Sequence, residues 1–148
     1  MEKEFVPYEL ALKLKALGFD EPCFGYYETQ DKNLIINFNN LPLTEEQKKR
    51  PGLYTIYNSN SVLPQWAVTA PTYSQAFRWF REKHDLISSI YQLSVSVKTG
   101  LSSFEYMIDK LNNLGLSQFI EDFPYNTYEE AELACLKNLI EIVEQKIK

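Results

Sequence analysis

The sequence predicts a two-layer α+β fold, in which an antiparallel sheet of about four or five strands is covered by helices mainly on one face. Capped amphipathic segments alternate along the chain with pairs of β-branched or aromatic runs that are typical of hairpins. A chain of 148 residues fits one domain, so a single globular domain over 1–148 is expected. The predicted elements are a helix over 7–17, a hairpin over 23–38, a strand over 53–57, a helix over 72–86, a hairpin over 90–109 and a helix over 127–147.

The first helix is predicted from its apolar spacing and from its end. Leu10, Leu14 and Leu17 recur along one face. Gly18 can adopt the left-handed conformation that ends a helix, and Phe19 supplies an apolar side chain that packs back.

The second helix lies in the stretch APTYSQAFRWFREKH, residues 70–84, which holds four aromatic rings and the only histidine of the chain. Thr72 and Gln75 have the spacing of a capping box, which predicts a helix start at about Tyr73. The side chains on its predicted core stripe are Tyr73, Ala76, Phe77, Phe80, His84 and Ile87. Core packing therefore explains most of the rings.

The hairpin over 90–109 is predicted from alternation. One face of its first strand carries Tyr91, Leu93, Val95 and Val97, and its second strand alternates through Phe104, Tyr106 and Ile108. One buried and one solvated face are typical of antiparallel sheets, so these rows are expected to face the core. The following segment, with the run LSQFIED, fits either a short helix or a strand.

The last helix begins at a capping box formed by Thr127 and Glu130, and its wide apolar arc indicates that it is well covered. Cys135 lies in the middle of this arc. Cys23 and Cys135 are the only cysteines, and the chain has no second histidine to complete a zinc set. Reduced, buried thiols are therefore expected, and no metal site is predicted.

Charge and hydropathy limit the classes of partner and location. The net charge of −5 disfavours the broad basic field that non-specific nucleic-acid binding uses. The amino terminus lacks the plan of a signal peptide, and 18 apolar residues never run together. These features predict a soluble, cytoplasmic protein that does not bind membranes.

No catalytic motif stands out. The glycines are isolated, so no phosphate loop is predicted, and GxSxG and HExxH are absent. His84 is expected to be structural, because nucleophilic or metal chemistry needs partners that a lone histidine does not reveal. No catalytic residue and no cofactor are predicted, although an unusual enzyme stays a third alternative.

Four residues are the candidates for binding: Trp66, Arg78, Trp79 and Arg81. An aromatic and arginine patch suits a protein partner as a hot spot, or a single nucleic-acid strand by base stacking. A protein-binding module further predicts an exposed apolar patch, either around Trp79 or along a sheet edge.

Three segments carry a family resemblance: LALKLKALGFDEPCFGYY, LPQWAVTAPTYSQAFRWFREKHDL and YNTYEEAELACLKNLIEIVEQK. They resemble a family of short proteins carried by phages, prophages and other mobile elements of gut bacteria. That family has no known activity, cofactor or catalytic residue. The resemblance implies an accessory protein inside a bacterial host cell, acting on host or phage machinery.

The last segment also looks like the closing helix of small modules such as double-stranded-RNA-binding and antitoxin-type domains. An RNA-binding domain of that kind would place lysines at the helix start, where this chain has Glu129, Glu130 and Glu132. The favoured function is therefore a non-catalytic protein-interaction or regulatory module with a host or phage protein as partner. Binding of single-stranded nucleic acid or a small ligand is the alternative, and the oligomeric state stays open.

Overall fold

The computed structural model describes residues 2–36, 59–95, 102–112, 115–120 and 124–147. Helices and antiparallel strands make up this part of the chain, which confirms the predicted α+β class. After a 3-10 turn at Glu2–Glu4, the elements are α1 (Tyr8–Ala16), β1 (Gly25–Glu28), β2 (Leu34–Ile36), β3 (Ala67–Ala70), α2 (Tyr73–His84), β4 (Leu86–Val95), β5 (Ser102–Asn112), β6 (Gly115–Ile120) and α3 (Tyr128–Ile147).

The described strands form two sheets where the sequence predicted one. The three-stranded sheets have the orders β2-β1-β3 and β4-β5-β6, and all of their pairings are antiparallel. The chain divides into two compact units, Met1–Ala76 and Phe77–Lys148, and each unit holds one sheet. Alternation within a hairpin shows which neighbouring segments pair, but it does not show whether one hairpin joins the next.

In the first unit, β1 is the central strand. Tyr26 pairs with Ile35 of β2 on one side and with Thr69 of β3 on the other. Helix α1 packs against β3, and the phenol of Tyr27 donates a hydrogen bond to the carbonyl oxygen of Val6 at 2.8 Å. The buried residues of this layer are Phe5, Ala11, Tyr27, Val68 and Ala70.

The end of α1 has the predicted geometry. Gly18 has φ +93°, and its N–H donates to Lys15 O while the N–H of Phe19 donates to Leu14 O. These two bonds define a Schellman motif, and the buried ring of Phe19 packs back as expected.

Asn60 fastens the loop before β3 to the core. Its amide oxygen accepts the N–H of Thr69 at 3.1 Å, and its amide nitrogen donates to the Thr69 hydroxyl at 2.9 Å and to Phe19 O at 2.7 Å. Thr69 is the one buried polar residue of the described chain, and Asn60 satisfies its backbone donor and contacts its side chain.

In the second unit, α3 packs against β4 and β5. The helix-side face of the sheet includes Tyr106 and Ile108, which are fully buried, and their partners Ile90 and Ser88 on β4. Asn138 of α3 donates to the hydroxyl of Tyr106 at 3.1 Å. Tyr106 and Ile108 of the apolar row predicted on β5 are therefore core residues, whereas Phe104 is only partly buried.

Helix α2 starts at its predicted capping box. The N–H of Gln75 donates to Thr72 Oγ1, and the N–H of Thr72 donates to Gln75 Oε1. The helix ends at His84, where the sequence predicted 86, because Asp85 adopts φ 56° and turns the chain directly into β4. Ile87, which was predicted to lie on the core stripe of the helix, is instead a strand residue that is 38% exposed.

Other predicted elements compare as follows. The first and last helices, predicted over 7–17 and 127–147, span Tyr8–Ala16 and Tyr128–Ile147. The hairpin over 23–38 is described as far as Ile36, and the strand over 53–57 lies outside the described residues. The segment after β5, which fitted either a short helix or a strand, forms strand β6. Strand β3 was not predicted. Among the helices described, none has the length and apolar character needed to cross a membrane.

Candidate functional site

Trp66 lies in the first unit, at the residue before β3, and it is 45% exposed. Its carbonyl oxygen accepts hydrogen bonds from the N–H of Thr29 at 2.9 Å and from the Thr29 hydroxyl at 3.0 Å. These bonds attach it to the turn of the β1–β2 hairpin. Together with Glu28, Gln30 and Asp31, it lines a cavity of about 390 Å³.

The position of Trp79 shows that the predicted aromatic and arginine patch does not form. Its indole is 4% exposed and packs edge-on against Phe80 and His84, with ring centroids 5.0 and 4.7 Å away. Arg78 and Arg81 on the same helix are exposed. The apolar arc of α2 is wider than the predicted stripe and includes Trp79, so the two arginines have no exposed tryptophan on their helix. Trp66 belongs to the other compact unit.

His84 is partly buried beneath these rings. Its Nε2 atom is inaccessible to solvent and has no hydrogen-bond partner among the described residues. Burial lowers the pKa of the imidazole below its usual 6.5, the positive charge of Lys146 lowers it further, and Asp85 opposes both effects. The neutral form is therefore favoured near neutral pH.

Two lysines, Lys110 and Lys146, lie at the end of the second sheet where β4 begins. The pKa of Lys146 is lowered by burial and by the nearby Lys110 ammonium, while Asp85 acts in the opposite direction. Lys110 of β5 pairs with Leu86 at the start of β4. Lys146, near the end of α3, lies close to Lys110, so the two positive charges meet at this end of the sheet. Of these two charges, the Lys146 ammonium lowers the pKa of His84, in addition to the larger effect of burial.

The largest departure from the sequence-based expectations concerns the outer face of β4. Tyr91 and Leu93 were expected in the core, but they are 37% and 45% exposed, and Ile87 is exposed as well. We call Ile87, Tyr91 and Leu93 the β4 apolar row. Helix α3 covers the opposite face of the sheet, and Leu93 lies at a β-bulge between Gln92 and Ser94. Val95 and Val97 cannot be compared, because their side chains lie outside the described part of the structure.

Acidic side chains accompany the β4 apolar row on the adjacent strand. Tyr91 is paired with Glu105 and Ile87 with Asp109, and paired residues of an antiparallel sheet lie on the same face. The Tyr91 hydroxyl donates to Glu105 Oε2 at 3.1 Å, which raises the pKa of the phenol. The Oδ1 atom of Asp109 is buried and lacks a donor within the described ranges.

This face could have been found in part from the sequence. Alternation showed correctly that Tyr106 and Ile108 share a face, and that Tyr91 lies on one side of β4. It could not show which side α3 covers. An exposed edge with apolar residues was nevertheless the feature expected of a protein-binding module.

Cys23 and Cys135 are both buried, as expected, and they form no disulfide bond with each other. Over the described residues, no three His, Cys, Asp or Glu side chains lie close enough together to hold a metal ion. Comparison with protein-family models, with curated proteins and with solved structures gives no match for this chain.

Proposed function

We propose that this chain is a non-catalytic protein-interaction module of a regulatory kind, which binds a partner protein at the outer face of β4 and β5. The observation that carries the proposal is the β4 apolar row: Ile87, Tyr91 and Leu93 are each more than one-third exposed on a single strand. Exposed apolar side chains grouped on one strand mark a protein interaction site more often than an isolated exposed side chain does.

The acidic groups beside the row define the chemistry of the partner. Glu105 and Asp109 lie on the same face, so a segment with apolar residues flanked by lysine or arginine would cover the row, and its positive charges would be attracted to both carboxylates. A second copy of this chain would bring the same two carboxylates to the interface, where like charges repel. The net charge of −5 also favours a basic partner.

The resemblance to phage- and prophage-borne proteins supports a search for this partner in a bacterial host or its phage. In the first experiment, Tyr91→p-benzoylphenylalanine places a photo-crosslinker in the row of the full chain, and lysates of infected and uninfected bacteria are irradiated with it. We expect one crosslinked protein, whose modified peptide is apolar and basic. The same crosslinker at Arg78, an exposed position on α2, serves as the matched control.

Binding of the purified partner then tests the face directly. Leu93→Ser removes an apolar contact, and Glu105→Gln removes a carboxylate; each is expected to weaken binding by about tenfold. Glu82→Gln, the same charge change at an exposed position of α2, should leave binding unchanged. Equal crosslinking from both positions, an acidic target peptide, a nuclease-sensitive product or unaltered binding by Leu93→Ser would each refute the proposal.

A further inference from the structure

The cavity beside Trp66 has features that the β4 face does not share. It lies in the first compact unit, at the turn that joins β1 to β2, and its volume of about 390 Å³ is within the range of small-ligand pockets, roughly 300–1,000 Å³. Three of its four lining residues come from the hairpin, and Trp66 comes from the segment that leads into β3. The site therefore joins residues that are distant in sequence.

Hydrogen bonds of the backbone fix this turn before any ligand binds. The N–H of Glu28 donates to Asn33 O at 3.1 Å, and the N–H of Lys32 donates to Glu28 O at 2.8 Å. The two Thr29 bonds to the carbonyl of Trp66 then hold the tryptophan segment against the turn. The backbone that carries the lining residues is consequently fixed before binding, which lowers the entropic cost of ordering the site.

The charges around the cavity are unbalanced. Lys32, the cation of the turn, forms an ion pair with Glu9 at 2.6 Å and lies 5.2 Å from the ring centre of Tyr8. In the described part of the chain, no ion-pair partner is found for the carboxylates of Glu28 or Asp31. The cavity thus combines an exposed aromatic residue with two negative charges.

We propose that this cavity binds the side chain of an arginine presented by a partner protein. Two carboxylates alone would form only a hydrated acidic surface, but the tryptophan at the same cavity adds the aromatic face over which a guanidinium stacks. The planar group then directs its N–H donors to Glu28 and Asp31, in charge-assisted hydrogen bonds. Lysine, with a compact and strongly hydrated ammonium, fits such a stacked site less well.

The test uses the full chain and the tripeptide Gly-Arg-Gly as probe. The indole N–H signals of Trp66 and Trp79 are followed by NMR and assigned with Trp66→Phe and Trp79→Phe variants. We expect the arginine peptide to shift the Trp66 signal and leave the signal of the buried Trp79 in place. A peptide with citrulline in place of arginine, which keeps the shape and loses the charge, should give no shift.

Variants separate the contribution of the tryptophan to binding from the contribution of the two carboxylates. Trp66→Ala, and separately Glu28→Gln with Asp31→Asn, should each weaken binding at least about threefold. Phe24→Ala, at an aromatic residue that is 43% exposed and does not line the cavity, should bind normally. No shift with millimolar arginine peptide, an equal shift with citrulline, or equal affinity for Gly-Lys-Gly would overturn the assignment. None of these outcomes depends on the β4 face.

Discussion

The imidazole of His84 packs edge-on against the indole of Trp79, with ring centroids 4.7 Å apart and an angle of 71° between the ring planes. The same imidazole is tilted over Phe80 at 5.8 Å. Two aromatic rings therefore desolvate the only histidine of the chain, which has consequences for its protonation.

Stability should depend on the protonation of His84. Its pKa in the folded protein lies below the 6.5 of a free imidazole, so below pH 6.5 the unfolded chain binds more protons than the folded one. The free energy of unfolding should consequently fall as the pH drops below 6.5 towards the folded-state pKa. Urea denaturation of the wild type and of His84→Gln on both sides of pH 6.5 measures this. An identical pH dependence in both proteins would assign the effect to other groups.

Lys146 should set part of the His84 pKa. Because its positive charge lowers that pKa, Lys146→Gln should raise it towards 6.5. An NMR titration reports the value without ambiguity, since the chain has one histidine. Lys137→Gln, an exposed lysine on the same helix, is the matched control. A pKa that is unchanged in Lys146→Gln, or raised equally by both changes, would contradict the assignment.

Trp79 should be important for folding. It is 4% exposed, so Trp79→Ala should lower the free energy of unfolding by about 3–5 kcal/mol through the cavity it leaves. Arg78→Ala, at the adjacent exposed position, should change the same quantity by no more than about 0.5 kcal/mol. Urea denaturation of both variants provides the comparison. If Trp79→Ala is as stable as the wild type, the indole is not a core residue in solution.

Asn60 should contribute more to stability than its position in a loop suggests. Asn60→Ala leaves the N–H of buried Thr69 without its acceptor, which should cost about 1–3 kcal/mol in the free energy of unfolding. Ser61→Ala removes the hydroxyl of an exposed residue, which contacts the Ser59 side chain, and it should be nearly neutral. Denaturation midpoints and slopes for the two variants test this difference. Equal stability of the two would show that Asn60 is replaceable by water.

The sequence predicts local structure well wherever the signal is itself local. The helix stop at Gly18 and Phe19 and the capping box at Thr72 and Gln75 depend on a few adjacent residues, and the structure has both. Strand β3 was missed because Ala67–Ala70 is buried at every position, so it shows no alternation and is too short to be recognised by its apolar character.

The candidate sites were less predictable because they depend on non-local pairing. Trp66 was a candidate residue, but its cavity depends on Glu28 and Asp31, which the pairing of β1 with β3 brings near it. Likewise, alternation in β4 identifies the neighbours of Tyr91 on one face, whereas the position of α3 decides which face is covered. No periodicity in a single segment contains that information.

The number of residues at the Asp85 junction determines which face of β4 is buried. A single left-handed residue separates α2 from β4, so the connection has no slack that could absorb a change of length. Inserting one residue there would exchange the two sides of the strand, placing Ile87 and Tyr91 towards α3 and Leu86 towards solvent. Insertions and deletions at this junction should therefore be tolerated only in pairs.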